Sequence, residues 1–164
     1  MISGTIKTGA NRGSPVDEGY TPMKTMTREE WHGFLSSGTR TAKLASRRVD
    51  GRPHVAPVWF VLDGDDLVFT TQRDTVKGRN IRNDPRVMLC VDDERPPFAF
   101  VSIEGTAVTS EVPPGALVEW TTRIAARYMG PEQADAYGRR NAAEGELLVR
   151  VPLSKVKAQK GIAD

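Results

Sequence analysis

Residues 41–71 decide the fold of this chain, and they read TAKLASRRVDGRPHVAPVWFVLDGDDLVFTT. The pairs Asp50-Gly51 and Asp63-Gly64 divide this stretch into three runs, and Asp-Gly pairs favour the tight turns of β-hairpins. We therefore predict an antiparallel meander of three strands, over residues 41–47, 54–62 and 67–71.

The remainder of the chain adds three strands and four short helices to this meander. Thr27 and Glu30 form the pattern of a capping box, which predicts that the first helix begins there and ends at Gly38. Asp74 or Thr75 can cap the second helix. The other predicted helices cover residues 75–83, 113–129 and 132–143, and the other strands cover residues 87–92, 98–110 and 146–157, the last broken near Pro152.

The apolar pattern of the strands predicts how the sheet is covered. Residues 54–62 and 87–91 alternate little between apolar and polar side chains, which implies a sheet that is covered on both faces. Closure into a barrel provides this cover and removes the exposed edges. We therefore predict a mainly β fold with short helices, built as a six-stranded antiparallel β-barrel.

Length and composition favour one globular domain, since 164 residues with 38% apolar and 27% charged side chains suit a single core. Residues 1–26 contain four glycines and two prolines and little apolar periodicity. We read residues 1–26 as a disordered arm and residues 27–164 as the domain. Apolar stretches such as 55–62 are far shorter than the roughly 20 residues that span a bilayer, and no signal-peptide pattern precedes them, so we expect a cytoplasmic protein without membrane contact.

The common catalytic patterns are missing from this sequence. It has two histidines, His32 and His54, a single cysteine, Cys90, and no nucleophile elbow, metal-ligand spacing or Gly-rich phosphate loop. We therefore expect no metal site and rank hydrolases low. A basic stretch lies at residues 73–86, but the net charge of +2 and the lack of interleaved aromatic residues argue against nucleic-acid binding.

The most informative segment is TTQRDTVKGRN at residues 70–80, where a strand leads into the start of a helix. Free backbone N–H groups and a positive dipole end meet there, and Lys77 and Arg79 add full charges, which would suit a phosphate. The alternative is that the threonines follow β-propensity, Thr75 is a cap, and both cations are solvated.

Three motifs in their order resemble the pyridoxamine 5'-phosphate oxidase superfamily: GRPHVAPVWF at 51–60, residues 70–80, and NDPRV at 83–87. The resemblance covers residues 27 to about 157. KGRNI at 77–81 with DPR at 84–86 is most similar to the branch that uses the deazaflavin coenzyme F420. The resemblance implies a split β-barrel of the FMN-binding kind and a homodimer with cofactor sites at the subunit interface.

The resemblance also implies which residues bind the cofactor. Lys77 and Asn80 would hold the phosphate or the ribityl chain, and the ring would lie beside the segment that ends at Trp59, for which plain barrel packing is an equal alternative. The full set consists of Pro57, Val58, Trp59, Thr70, Thr71, Thr75, Lys77, Arg79 and Asn80, with Phe98 from the partner chain. A basic groove for the acidic tail of F420 would consist of Arg73, Arg79 and Arg82 with Lys43 or Arg40.

The implied activity is hydride transfer from reduced F420 to a conjugated small-molecule acceptor. The alternatives are an FMN-binding oxidoreductase of the same superfamily and a non-catalytic carrier of flavin or F420. The substrate-phosphate signature of the pyridoxamine-oxidising enzymes is missing, so pyridoxamine phosphate is a poor substrate candidate. Tyr128, Arg127 and His54 are candidates for the proton donor, and no catalytic residue is assigned.

Overall fold

Ten antiparallel strands form two sheets in the computed structural model, which describes residues 23–163. The six-stranded sheet has the order β1-β10-β7-β6-β2-β3, and the four-stranded sheet has the order β4-β5-β9-β8. The strands are β1 (Lys24–Thr25), β2 (Ala42–Arg47), β3 (Pro53–Val58), β4 (Val61–Asp63), β5 (Asp66–Gln72), β6 (Arg86–Asp93), β7 (Ala99–Thr106), β8 (Val108–Ser110), β9 (Glu146–Pro152) and β10 (Lys155–Lys160).

Four helices complete the described part of the chain. They are α1 (Arg28–Ser36), α2 (Val76–Asn83), α3 (Pro114–Met129) and α4 (Pro131–Asn141). The predicted capping box is confirmed, because the Thr27 hydroxyl accepts from the Glu30 N–H group while the Glu30 carboxylate accepts from the Thr27 N–H group. Within residues 23–163, no helix is long and apolar enough to cross a bilayer.

The prediction of a mainly β, antiparallel fold is confirmed, but the predicted number of six strands is wrong. Each of the three longest predicted strands breaks in two, and its halves lie in different sheets. At each break a backbone N–H group finds a partner outside its strand. Phe60 donates to the Tyr128 hydroxyl at 3.2 Å, Ala107 donates to the Pro85 carbonyl at 2.8 Å, and Leu153 donates to the Asp65 carbonyl at 2.8 Å.

The core lies between the two sheets, which remain separate in their hydrogen bonding, as in a split barrel. Its fully buried side chains include Leu44, Phe60, Phe69, Leu89 and Ile103. A smaller cluster lies where α3 packs on the four-stranded sheet, and it contains Val61, Val68, Ile124 and Leu148. The buried residues of α3, which include Leu117, Thr121 and Ile124, are spaced three or four positions apart and so lie on one face of the helix.

The expectation that the strands at 54–62 and 87–91 are covered on both faces is wrong for the single chain. Strand β6 alternates, with Val87 and Leu89 buried and Met88 exposed, and β3 exposes Val55. Within residues 23–163, the sheets cover one face of β3 and of β6, and Val55 and Met88 on the other face are exposed.

One sequence prediction concerns the start of the chain. The arm predicted for residues 1–26 falls mainly outside the described residues. At its end, Lys24 and Thr25 form β1, which pairs with Lys160 and Gln159 of β10. The side chain of Met26, which follows, is buried in the core.

Candidate functional site

A cavity of about 410 Å³ opens where the end of β3, strand β5, the first turn of α2 and the α3–α4 hairpin meet. Pro57, Val58 and Trp59 line it from one side, and Thr70 and Lys77 line it from another. All five were predicted from the sequence as cofactor-binding residues. The fold thus brings together two predicted segments that lie apart in the chain.

Three other predicted residues, Thr71, Thr75 and Asn80, hold α2 in place and do not line the cavity. The Thr75 hydroxyl accepts from the Gly78 N–H group at 3.1 Å, lies 3.1 Å from the Thr71 hydroxyl, and so caps the helix. Asn80 is buried, and its side-chain amide donates to the Ser46 hydroxyl at 3.1 Å. These groups position the helix that presents Lys77.

The remaining two predicted residues, Arg79 and Phe98, do not line this cavity either. The exposed Arg79 side chain donates to the Asp74 carbonyl at 2.6 Å. Phe98 lines a separate cavity of about 290 Å³, together with Pro97 and Lys160. Within one chain, neither residue contributes to the cavity that contains Lys77.

The cations predicted to form a basic groove for an acidic tail do not line the cavity that contains Lys77. Lys43 pairs with Asp92 at 2.6 Å, and Arg40 pairs with Asp93, also at 2.6 Å. Both pairs line another cavity, of about 500 Å³. Arg73 lies 3.4 Å from a carboxylate oxygen of Glu111, so several of the predicted cations already have acidic partners.

Helix α2 begins close to the end of β5, and a glycine makes this possible. A Cβ atom at Gly78 would overlap the Gln72 carbonyl oxygen and would lie 2.9 Å from the Arg73 carbonyl oxygen. The backbone of the connection is closed by a bond from the Thr75 N–H group to the Gln72 carbonyl at 3.2 Å. This close approach holds Lys77 at the cavity wall.

The α3–α4 hairpin provides cavity residues that the sequence analysis missed. They are Thr121 and Ile124 from α3, Arg140 and Asn141 from α4, and Ala143 from the segment that follows. The Thr121 hydroxyl donates to the Gly138 carbonyl at 2.7 Å. A Cβ atom at Gly138 would lie 2.8 Å from the Thr122 Cα atom, so the two helices cross in close contact at this point. Both helices are visible in the sequence, but no local pattern indicates that the end of α4 meets β5.

Trp59 is held in place by an aromatic stack with Tyr128, whose ring lies 4.8 Å away at an interplanar angle of 3°. The Tyr128 hydroxyl donates to the Arg40 carbonyl at 2.9 Å and accepts from the Phe60 N–H group. Burial raises the pKa of Tyr128. A fixed, partly exposed indole therefore forms one wall of the cavity.

None of the three predicted proton donors lines the cavity in this chain. The Arg127 guanidinium donates to three backbone carbonyls, those of Leu35, Gly38 and Phe60, at 2.7–2.9 Å. Tyr128 uses its hydroxyl in two backbone hydrogen bonds, and His54 lies on β3 opposite Ser46. Arg127 and Tyr128 hold together the connections around α1 and the β3–β4 break.

Glu146 is the acidic residue of the cavity wall, and it was not predicted. It begins β9, opposite Gln72 of β5, which also lines the cavity. Burial raises the pKa of the Glu146 carboxyl, whereas Thr70 and Lys77, which stabilise the carboxylate, act in the opposite direction. The cavity thus contains Lys77, Arg140 and one carboxyl group.

The residues of this cavity fit a ring cofactor that carries a phosphate. Lys77 and Arg140 provide cationic anchors, while Trp59 and Ile124 provide apolar wall. Strand β3 is an edge strand among the described residues, pairing only with β2. Pro57 has no N–H group and therefore occupies a position that faces away from β2, which leaves its carbonyl free for a ligand.

The model of one protein family, pyridoxamine 5'-phosphate oxidase, matches residues 27–156 of this sequence. The chain belongs to the pyridoxamine 5'-phosphate oxidase family. The cavity and both of its predicted segments lie within the matched range. No curated protein sequence matches the chain.

Solved structures of similar fold agree with this membership in the pyridoxamine 5'-phosphate oxidase family. A conserved hypothetical protein from Mycobacterium tuberculosis has 26% identity and a TM-score of 0.72, with 88% of this chain and 90% of that chain covered. An F420 reductase has 25% identity and a TM-score of 0.59, with coverages of 76% and 94%. A FAD-binding protein from Mesorhizobium loti has 19% identity and a TM-score of 0.62, with coverages of 85% and 96%, and this likeness shows the fold alone.

Proposed function

We propose that this protein is an F420-dependent reductase that transfers a hydride from the reduced deazaflavin to a conjugated small-molecule acceptor. The observation that supports it is a single cavity with the cations Lys77 and Arg140 and the fixed ring of Trp59. The motif at 77–81 and the likeness to an F420 reductase favour the deazaflavin.

In this proposal the protein binds and orients, and its side chains do little chemistry. Lys77 and Arg140 hold the phosphate by charge-assisted hydrogen bonds. Trp59 and Ile124 exclude water from the ring, and the Pro57 carbonyl accepts a hydrogen bond from its edge. Reduced F420, when bound, supplies a hydride from the C5 carbon of its ring. Orientation of the acceptor against that ring is then the main contribution of the protein to the rate.

FMN is the second candidate cofactor, and a specific observation favours it. Arg40, Lys43 and Arg73 already have the acidic partners Asp93, Asp92 and Glu111. An acidic tail would have to compete with these carboxylates for the same cations, whereas FMN has no such tail. In that case the protein is an FMN-dependent oxidoreductase, or a carrier of the cofactor if it transfers no hydride.

The proposal includes a homodimer. Val55 of β3, Ala45 of β2 and Met88 of β6 lie in one row across three strands, and Val55 and Met88 are 61% and 50% exposed. Two large apolar side chains in such a row suit a buried interface better than a solvated surface. A second copy on this face would cover Val55 and Met88, and it would supply Phe98 to the cofactor site.

The test is a fluorescence titration of the purified protein with F420, FMN and riboflavin, which has the ring and the ribityl chain but no phosphate. Lys77→Ala and Arg140→Ala are each expected to weaken F420 or FMN binding about tenfold or more, because each removes one charge-assisted contact. Both variants should bind riboflavin like the wild type, since the loss of either cation removes only a contact with the phosphate.

Lys155→Ala is the matched control, because Lys155 is an exposed lysine that pairs with Glu104 of the neighbouring strand β7 and does not line the cavity. It should leave the affinity for all three compounds unchanged. Tighter binding of FMN than of F420 by the wild type would indicate that the cofactor is FMN and not the deazaflavin. Failure of the wild type to bind any of the three at micromolar concentration would refute the proposed function.

A further inference from the structure

The position of Glu146 in the cavity is fixed by the backbone around it. Its N–H group donates to the Ala143 carbonyl at 3.1 Å, and the Gln72 side chain donates to the Glu144 carbonyl at 2.7 Å. Arg73 donates its N–H group to the Gly145 carbonyl at 2.9 Å. The segment that leads into β9 is therefore held against the end of β5, and this fixes the backbone position from which the Glu146 side chain reaches the cavity wall.

Glu146 has cations near it but no close ion pair. Among residues 23–163, neither Glu146 nor Lys77 nor Arg140 forms an ion pair within 4.0 Å. The groups that face the cavity from the surrounding elements are Thr70 and Gln72 of β5, Lys77 of α2, Arg140 of α4, and the uncharged Thr121 and Ile124 of α3. Arg73, at the end of β5, already has Glu111 as its partner.

We propose that Glu146 makes anion binding in this cavity proton-coupled: its carboxyl takes up a proton when a phosphate-bearing ligand binds beside Lys77 and Arg140. This inference rests on the proposed phosphate anchor. In the ligand-free protein, the carboxylate partly balances the charge of Lys77, and Arg140 lines the same cavity. An incoming phosphate occupies the same cations, adds a like charge to the cavity and removes water, and all three changes favour the neutral acid.

The direction of the pH dependence follows from the burial of the carboxyl. Burial already raises the pKa of Glu146 in the ligand-free cavity, and a bound phosphate raises this pKa further. The bound state then holds more protons than the free state between the two pKa values, so affinity increases as the pH falls through that window. Above it, the ionised carboxylate repels the phosphate. The charge of Glu146 thus weakens the binding of the phosphate at high pH.

The experiment compares wild type, Glu146→Gln and Glu144→Gln, with FMN and riboflavin as the probes and F420 in place of FMN if the wild type prefers it. Glutamine keeps the shape of the side chain and removes its charge. At about pH 8, Glu146→Gln should bind FMN about fivefold tighter than the wild type, since it removes one like charge from a partly screened site. At an acidic pH, below the pKa of Glu146 in both states of the wild type, the two affinities should converge.

Riboflavin and Glu144→Gln are the two controls. Riboflavin has no phosphate, so the wild type and Glu146→Gln should bind it with nearly equal affinity at both pH values. Glu144 is an exposed carboxylate that does not line the cavity, and its variant should behave like the wild type. The phosphate of FMN also titrates in this pH range. Its contribution is the same for all three proteins, so it cancels when their affinities are compared.

Calorimetric titration of the wild type in buffers of different ionisation enthalpy measures the proton uptake directly and does not depend on the variant folding. Near neutral pH, the wild type should take up a fraction of a proton more per bound FMN than Glu146→Gln does. Equal uptake, or weaker FMN binding by Glu146→Gln at every pH, would overturn the inference and assign Glu146 to direct contact with the ligand or to the fold. If the wild type binds no probe at any pH, the proposed function itself fails.

Discussion

Replacement of Gly78 by alanine tests the packing that places Lys77 at the cavity. In an ordinary helix this change is favourable by about 0.5–1 kcal/mol, because alanine has the higher helix propensity. In α2 the new methyl group would overlap the Gln72 carbonyl oxygen and lie 2.9 Å from the Arg73 carbonyl oxygen. Both neighbours are backbone atoms, so they cannot move aside by a change of rotamer.

The size of the effect follows from these contacts. Overpacking against rigid neighbours costs about 1–3 kcal/mol, which exceeds the gain in propensity. Gly78→Ala should therefore lower the free energy of unfolding by about 1–2 kcal/mol. Gly33→Ala is the matched control, since Gly33 lies within α1 and a Cβ atom there would have no neighbour within 4 Å. That change should raise the free energy of unfolding by about 0.5–1 kcal/mol.

Urea unfolding followed by circular dichroism measures both variants. The two midpoints should move in opposite directions while the slopes with urea stay equal. In a thermal scan, the two midpoints should differ by roughly 3–12 °C, at about 2–4 °C per kcal/mol for a chain of this size. If Gly78→Ala is as stable as Gly33→Ala, the close approach of α2 to β5 is wrong, and so is the position of Lys77 at the cavity wall.

Three further predictions concern other parts of the molecule. Tyr128→Phe should lower the free energy of unfolding by about 1–3 kcal/mol in urea titrations, because two partly buried backbone groups lose their partner; an unchanged value would contradict the bridging role of the hydroxyl. Hydrogen bonds from Arg86 hold the pKa of Asp84 well below its usual range, so protonation opposes folding and stability falls below about pH 4. Asp84→Asn should therefore be less stable at neutral pH but lose less stability on acidification, and parallel stability curves from about pH 3 to 7 would refute this assignment. Val55→Glu and Met88→Glu should each convert the proposed dimer into a monomer in light scattering, whereas a wild type that is already monomeric would exclude the dimer.

Local patterns predicted much of the site because they depend on neighbours in the chain. The Thr75 cap, the start of α2 and the place of Lys77 in its first turn follow from residues 70–80 alone. Asn80 shows the limit of such inference. Its place in the motif suggested a contact with the cofactor, but its side chain is buried against Ser46. Which way a helical side chain faces depends on the strand that packs against it, and that strand lies elsewhere in the sequence.

The strand count shows the same limit for the fold. Residues 54–62 look like one strand, because apolar side chains continue without interruption through Trp59 and Phe60. At the break, the Phe60 N–H group donates to the hydroxyl of Tyr128, which lies on a helix far along the chain. A local pattern contains no information about such a partner.

The sequence by itself determined the family, the antiparallel meander and the helix caps, since motif order, turn pairs and capping residues act over a few neighbouring positions. The tertiary structure alone decided which charges share a cavity. Arg140 and Glu146 meet Lys77 only because α3 and α4 cross closely at Gly138 and because β9 pairs with β5. These contacts join residues distant in the chain, so the electrostatics of the cavity follow from packing.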